Sequence, residues 1–165
     1  LFKPTKLEKG EYFTQIGKNC DKLSFVESGY VRIFADSANK EVTQWISSQG
    51  YFLTDLSSFI FQQPAKRNMQ ALTDCQLYTI HKEDYKKLLE LLPNWAEMEK
   101  KFIAGCFVYL EERIFSHLSL SAEERYDKLF SENRELFNQV PLHYIASMLG
   151  MSPETFSRIR AKQIS

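Results

Sequence analysis

The stretch Val140-Pro-Leu-His-Tyr-Ile-Ala-Ser-Met-Leu-Gly-Met-Ser-Pro-Glu-Thr-Phe-Ser-Arg-Ile-Arg-Ala-Lys162 reads as two short helices joined by a tight turn. Leu142, Ile145 and Leu149 recur at helical spacing, and Ala146 is small enough to let another helix approach closely. Gly150 supplies the left-handed conformation that ends the first helix. Ser152 is a good N-cap for the second, Pro153 sits where a missing N–H costs nothing, and Glu154 puts a negative charge in the first turn. Phe156 and Ile159 are expected to point inward, leaving Glu154, Thr155, Ser157, Arg158 and Lys162 on or near the outer face. A short helix after a turn, with an apolar back and a Glu/Ser/Arg front, is the plan of a helix that reads DNA.

Working upstream, Leu136 and Phe137 lead into this pair, and Asn133-Arg-Glu-Leu-Phe-Asn-Gln139 is short and helix-compatible. Ser121-Ala-Glu-Glu124 is a capping box that opens a helix through Tyr126, Leu129 and Phe130. Before it, a long helix is expected from about Trp95 to His117, free of proline and interrupted only by Gly105. Trp95, Met98, Phe102 and Tyr109 lie on one side of it, and Ile103, Phe107, Leu110, Ile114 and Leu118 on another. A helix apolar on two faces must bury both. An N-terminal barrel would cover one and a second copy of the helix the other; packing of both faces inside the monomer is the alternative. Arg113 and His117, one turn apart, read as a solvated polar strip with Glu111 and Glu112; signalling between domains is the rival reading. Cys106, on the same helix, reads as a small buried hydrophobe. A shorter helix from Glu83 to Leu92 stops at Pro93.

From Phe2 to about Ile80 the punctuation is that of short strands. Leu23-Ser-Phe25 alternates, Gly29 breaks the run, and Tyr30-Val-Arg-Ile-Phe34 resumes it. Asp36-Ser-Ala-Asn39 is a turn and Val42-Thr-Gln-Trp-Ile46 the returning strand of a hairpin. Gly50, Pro64 and Asp74 mark loops, and Gln76-Leu-Tyr-Thr-Ile80 is a last strand. Close-spaced strands without long intervening helices suggest a small antiparallel barrel or jelly roll.

The composition sets bounds. At 165 residues, 44% of them apolar, the chain can bury a sizeable core. Its formal net charge is zero, so affinity for nucleic acid must come from a local patch, and Arg158, Arg160 and Lys162 supply one against Glu154. Cys20, Cys75 and Cys106 are odd in number and far apart, which argues for free thiols in a reducing compartment and against an iron–sulfur site. His81, His117 and His143 fall at or after the end of the barrel and cannot converge inside it, so no metal site is expected and the chain is not read as an enzyme. With no membrane-length apolar run and no signal peptide, the cytoplasm is the expected location. The chain starts at Leu1 and stops just after the second helix of the pair, so both ends are expected to be incomplete.

A barrel, a long helix and a C-terminal helix-turn-helix, in that order, resemble the cyclic-AMP receptor / fumarate-nitrate regulator (Crp/Fnr) superfamily of bacterial transcription factors. The residues that carry the resemblance are Glu27-Ser-Gly-Tyr-Val-Arg32, Ser121-Ala-Glu-Glu-Arg-Tyr126, Ile145-Ala-Ser-Met-Leu-Gly150 and Ser152-Pro-Glu-Thr-Phe-Ser-Arg-Ile159, whose wording is most similar to members from the Bacteroidetes. The resemblance implies an α+β fold. Residues 1–93 would form a cyclic-nucleotide-binding-like β-roll sensor, residues 94–120 a dimerisation helix, and residues 121–165 a C-terminally truncated, winged-helix-like helix-turn-helix domain. The short segment at 133–139 leaves the wing reduced to a turn or absent.

The function implied is sequence-specific DNA binding by a homodimer, with double-stranded DNA and RNA polymerase as partners and an unknown small-molecule effector in the β-roll. Glu154, Ser157 and Arg158 would read bases, with Arg158 bidentate to a guanine and Glu154 accepting from a cytosine amino group. Ser152, Thr155, Arg160 and Lys162 would meet phosphates. The cyclic-AMP branch has an arginine where this chain has Pro153, so its operator should differ. The effector pocket would involve Thr54, Asp55, Lys66 and Arg67. Thr54-Asp55 stands where cyclic-AMP binders carry Gly-Glu, and Ala65 where they carry the phosphate-binding arginine, which argues against cyclic-nucleotide binding. No cofactor is required on this reading. The competing class is a cyclic-nucleotide-binding signalling module whose helix-turn-helix makes protein contacts only.

Overall fold

The computed structural model describes residues 1–38 and 40–164; Asn39, at the end of the expected Asp36–Asn39 turn, lies outside them. Eight strands and seven helices follow in the order β1 (Lys3–Leu7), β2 (Tyr12–Thr14), β3 (Lys22–Ser28), β4 (Val31–Ser37), β5 (Lys40–Ser47), β6 (Phe52–Leu53), α1 (Leu56–Phe61), β7 (Asn68–Ala71), β8 (Cys75–His81), α2 (Lys82–Leu91), α3 (Trp95–Ser119), α4 (Ala122–Glu132), α5 (Leu136–Gln139), α6 (Leu142–Met148) and α7 (Pro153–Ile164). The chain divides into two compact units, Leu1–Lys87 and Leu88–Ser165.

The first unit is two four-stranded antiparallel sheets, ordered β1-β8-β3-β6 and β2-β7-β4-β5. Alternation along each strand sends one side chain in two to the space between the sheets. There Leu7, Phe13, Val26, Val31, Leu53, Met69 and Leu77 form a core with Cys20 and Cys75. The β3–β4 turn depends on Gly29. Its φ is +93°, and a Cβ there would stand 2.6 Å from both the Asp74 oxygen and the Cys75 sulfur. The expected strands at 23–25, 42–46 and 76–80 are parts of β3, β5 and β8, and the one at 30–34 falls in β4 except for Tyr30.

The second unit packs α4, α5, α6 and α7 around a ring-rich core. Tyr126 stacks on Phe130 and meets the edges of Phe137 and Phe156, with Leu136, Val140, Ile145 and Ile159 buried beside them. The capping box at α4 is complete: Ser121 Oγ accepts the Glu124 N–H at 3.3 Å, and Glu124 Oε2 accepts the Ser121 N–H at 2.7 Å. Within the 133–139 segment, Leu136–Gln139 forms α5, its start held by Leu136 N–H on Asn133 Oδ1.

Two expectations are corrected. Cys106 is exposed, because none of the described residues of α3 is buried within the chain. Arg113 is not part of a solvated strip: it is half-buried and its guanidinium reaches the Met148 carbonyl.

Candidate nucleic-acid interface

The turn between α6 and α7 is set by backbone bonds that need a left-handed residue. Gly150 (φ +68°) donates to the Ser147 carbonyl and Met151 to the Ala146 carbonyl, each at 3.0 Å, which is the Schellman arrangement of a helix end. Ser152 then starts α7, its Oγ accepting the Thr155 N–H at 3.2 Å and donating to Thr155 Oγ1 at 3.3 Å. Behind α7, Phe156 and Ile159 are 1% and 4% exposed and lock it against α4 and α6.

What this leaves outside is a polar row. Pro153, Glu154, Ser157 and Arg158 are exposed, as is Lys162, whereas Thr155 and Arg160 are half-buried. The Glu154 carboxyl is held below its usual range by its own backbone amide and then by the Ser152 hydroxyl, so it is a ready acceptor at neutral pH. Lys162 Nζ lies 3.7 Å from Glu123 Oε2 on α4, and Gln163 donates to Asp127 one turn further along. A shallow cleft of about 380 Å3 runs between the start of α4 and α7, walled by Ser121, Glu123, Thr155, Arg158 and Lys162. The structure therefore brings Glu154, Ser157, Arg158 and Lys162 to one solvent-facing helix. It commits the Ser152 hydroxyl and the Thr155 amide to the cap.

Three side chains the motif reading did not assign to this region brace it from behind. The last carbonyls of a helix have no partners of their own. Here the Met148 oxygen faces Arg113 Nη2 at 3.5 Å and His117 Nε2 at 3.3 Å, and the Leu149 oxygen accepts from Arg125 Nε at 2.9 Å. Burial disfavours the charge on Arg113, with Tyr109 opposing that effect. The sequence signal was the i, i+4 spacing of Arg113 and His117, but which carbonyl they meet depends on tertiary packing.

The residues expected around an effector in the β-roll gather about α1. Asp55 is its N-cap: Oδ1 accepts the Ser58 N–H at 3.0 Å and the Ser57 hydroxyl at 2.7 Å, and Oδ2 accepts the Lys66 N–H at 2.9 Å. Burial pushes this carboxyl up. The Ser57 hydroxyl and the amides of Lys66, Ser58 and Ser57 outweigh that and leave it lowered. Thr54 donates to the Lys22 carbonyl at 2.9 Å, and Arg67 donates to Gln44 Oε1 at 2.7 Å and to the Lys66 carbonyl at 2.8 Å. Ala65 is 2% exposed, and the Lys66 side chain faces solvent. The polar groups of Thr54, Asp55 and Arg67 are thus engaged with the chain itself, whereas Lys82 Nζ, 5.9 Å from the Phe59 ring of α1, is buried without a hydrogen-bond partner.

Residues 4–91 match the family model of the cyclic nucleotide-binding domain. No curated protein matches the chain. Among solved structures, FixK2 from Bradyrhizobium japonicum aligns over 98% of this chain and 84% of its own, with a TM-score of 0.82 at 16% identity. A CooA mutant from Carboxydothermus hydrogenoformans covers 98% and 75%, with a TM-score of 0.70 at 17% identity. The catabolite activator protein of Thermus thermophilus covers 98% and 78%, with a TM-score of 0.53 at 22% identity. At these identities the likeness is one of fold, and it runs through both units. Two antiparallel sheets closed over one core, a capped helix at α1 and a matching family model over more than half its length together show that the chain belongs to the cyclic nucleotide-binding domain family.

Proposed function

We propose that the protein is a sequence-specific, DNA-binding transcription regulator of the Crp/Fnr type that acts as a homodimer. The observation that carries this reading is α7 itself. Its apolar back is buried, its start is capped, and it holds Glu154, Ser157 and Arg158 rigidly in solvent at the spacing of a major-groove reader. The pair α6–α7 is then the helix-turn-helix. Arg158 pairs with a guanine edge, Glu154 accepts from a cytosine amino group, and Ser157 touches a neighbouring base edge. Lys162 and Arg160 meet phosphates, with Thr155 and Ser152 at the helix start.

The bare apolar faces of α3 are the dimer seam, and RNA polymerase is the further partner in the cytoplasm. No helix among the described residues is long and apolar enough to cross a membrane. The β-roll serves as sensor for a small effector other than a cyclic nucleotide, and no cofactor or catalytic group enters the mechanism. The engaged Asp55 and the buried Ala65 support that choice. The test is selection of binding sites from a random duplex library by the chain without added ligand. The expected product is a palindrome with half-sites one helical turn, roughly 34–36 Å, apart. Recovery of nothing above non-specific background, with or without a panel of effectors, would overturn the reading.

A further inference from the structure

The carbonyl end of α6 is where the DNA-reading pair meets the long helix. Arg113 and His117 both stand on α3, and both face the Met148 oxygen, at 3.5 and 3.3 Å. The other ring nitrogen of His117 lies 3.0 Å from the Arg113 carbonyl, one turn back on α3, which fixes the ring plane. Gly150, at the bend itself, lies against that ring: a Cβ there would stand 3.7 Å from His117 Cδ2. Arg125 on α4 closes the joint, donating to Leu149 at 2.9 Å and to Leu120, the C-cap of α3, at 2.7 Å. Cationic donors at the carbonyl end of a helix are also favoured by its dipole. The angle at which α7 leaves α3 is therefore held by side chains, not only by the Leu120–Ser121 connection.

In a dimer joined along α3, each recognition helix is an arm attached at this joint. The separation of the two arms decides which arrangement of half-sites can be met at once. We propose that Arg113 and His117, by holding the Met148 carbonyl, set the half-site spacing that the protein accepts in its operator. This rests on the reading of the protein as a dimer on DNA and adds to it a source of specificity that never touches a base. One base pair added to the centre of an operator moves a half-site by about 3.4 Å along the duplex. It also rotates that half-site by about 35°, since a turn takes about 10 base pairs. A stiff joint rejects that change, and a loosened joint follows it. Arg113 and His117 are positioning residues that act through α7.

The experiment compares three duplexes for each protein: the selected palindrome, the same half-sites with one base pair inserted at the centre, and a duplex with a single half-site. Affinities are read by fluorescence anisotropy. The parent protein is expected to lose about tenfold or more on respacing, since simultaneous engagement is lost when the geometry forbids it. The variant Arg113→Met with His117→Ala is expected to bind the single half-site within about twofold of the parent, while its respacing penalty shrinks to about threefold or less. His117→Gln keeps an N–H for the Met148 carbonyl and is expected to keep most of the penalty. A double variant that retains both the half-site affinity and the tenfold penalty overturns the proposal. If the double variant loses the half-site too, His117→Ala alone decides by the same two numbers, and an undiminished penalty overturns the proposal. A parent protein that binds none of the duplexes overturns the DNA-reading function, and the proposal with it.

Discussion

Arg158 and Lys162 are one helical turn apart on α7 and are expected to fail differently. Arg158 is exposed and has the fork geometry that matches a guanine edge, so Arg158→Ala should cost about 1–3 kcal/mol and relax the preference at one base pair. Lys162 is a point charge held 3.7 Å from Glu123, in an exposed pair worth at most about 1 kcal/mol. Lys162→Ala should weaken all sequences alike and flatten the salt dependence by about one unit of slope. Affinities of both variants on matched and mismatched duplexes, across a salt series, separate the two roles; equal binding of every site by Arg158→Ala and by the parent would remove Arg158 from base reading.

Asp55 is a third case at the same scale, and a structural one. Its carboxylate satisfies the start of α1 and the Lys66 amide eleven residues on, so Asp55→Ala should lower stability by about 1–3 kcal/mol in a urea titration. Its folded pKa is depressed, so its contribution is fully present above the unfolded value of about 3.9. It is lost as pH falls through the lower folded value. The parent should accordingly lose more stability than Asp55→Asn does as pH falls through that window, and parallel acid limbs would refute the assignment.

At the scale of elements, what could be read from the sequence was whatever local chemistry decides. The α6–α7 pair was legible because Gly150, Ser152 and Pro153 each act within a few residues of themselves, and the structure uses Gly150 and Ser152 as expected. The capping box of α4 was legible for the same reason. α1 was missed. It is six residues long, leaves Leu56, Ile60 and Phe61 exposed, and takes its cap from a carboxylate whose other partner, Lys66, is remote. β1 was missed because Lys3-Pro-Thr-Lys-Leu7 has no alternation, and it exists by pairing with the distant β8, Lys3 with Thr79 and Leu7 with Cys75. The joint at Met148 was out of reach because no spacing rule tells which carbonyl a side chain on another helix will meet. Where local chemistry does decide, its removal should be costly. Gly150→Ala should destabilise the protein by about 1–2 kcal/mol through the left-handed backbone alone, since its Cβ would make only an ordinary contact. Gly150→Asn should cost less, because asparagine tolerates that conformation. A thermal melt that ranked Asn below Ala would show that the ring of His117, and not the backbone, sets the penalty.

At the scale of the whole molecule, the two units have separate cores, and the long helix of the second buries none of its described residues within the chain. Phe102, Ile103, Phe107, Leu110, Ile114, Phe115 and Leu118 are each at least 44% exposed within the chain. A run of this kind on a soluble protein requires a partner. Ile103, Phe107, Leu110, Ile114 and Leu118 recur at intervals of three and four, the pattern of two helices packed side by side, which supports the proposed second copy as that partner. Placing a carboxylate in the middle of that seam, at Phe107→Glu with Ile114→Glu, puts like charges across a two-fold axis in a dry interface. Sedimentation should then show the parent as a dimer and the variant as a monomer. The reading unit is built from α4 to α7 and keeps its own buried rings, so the monomer should bind a single half-site with the parent's affinity. It should lose about a hundredfold on the full palindrome, where two linked contacts no longer act together. A variant that stays dimeric would move the seam to another surface. A monomer that binds the palindrome undiminished would mean that one recognition helix suffices, and the argument from two-fold symmetry would fall.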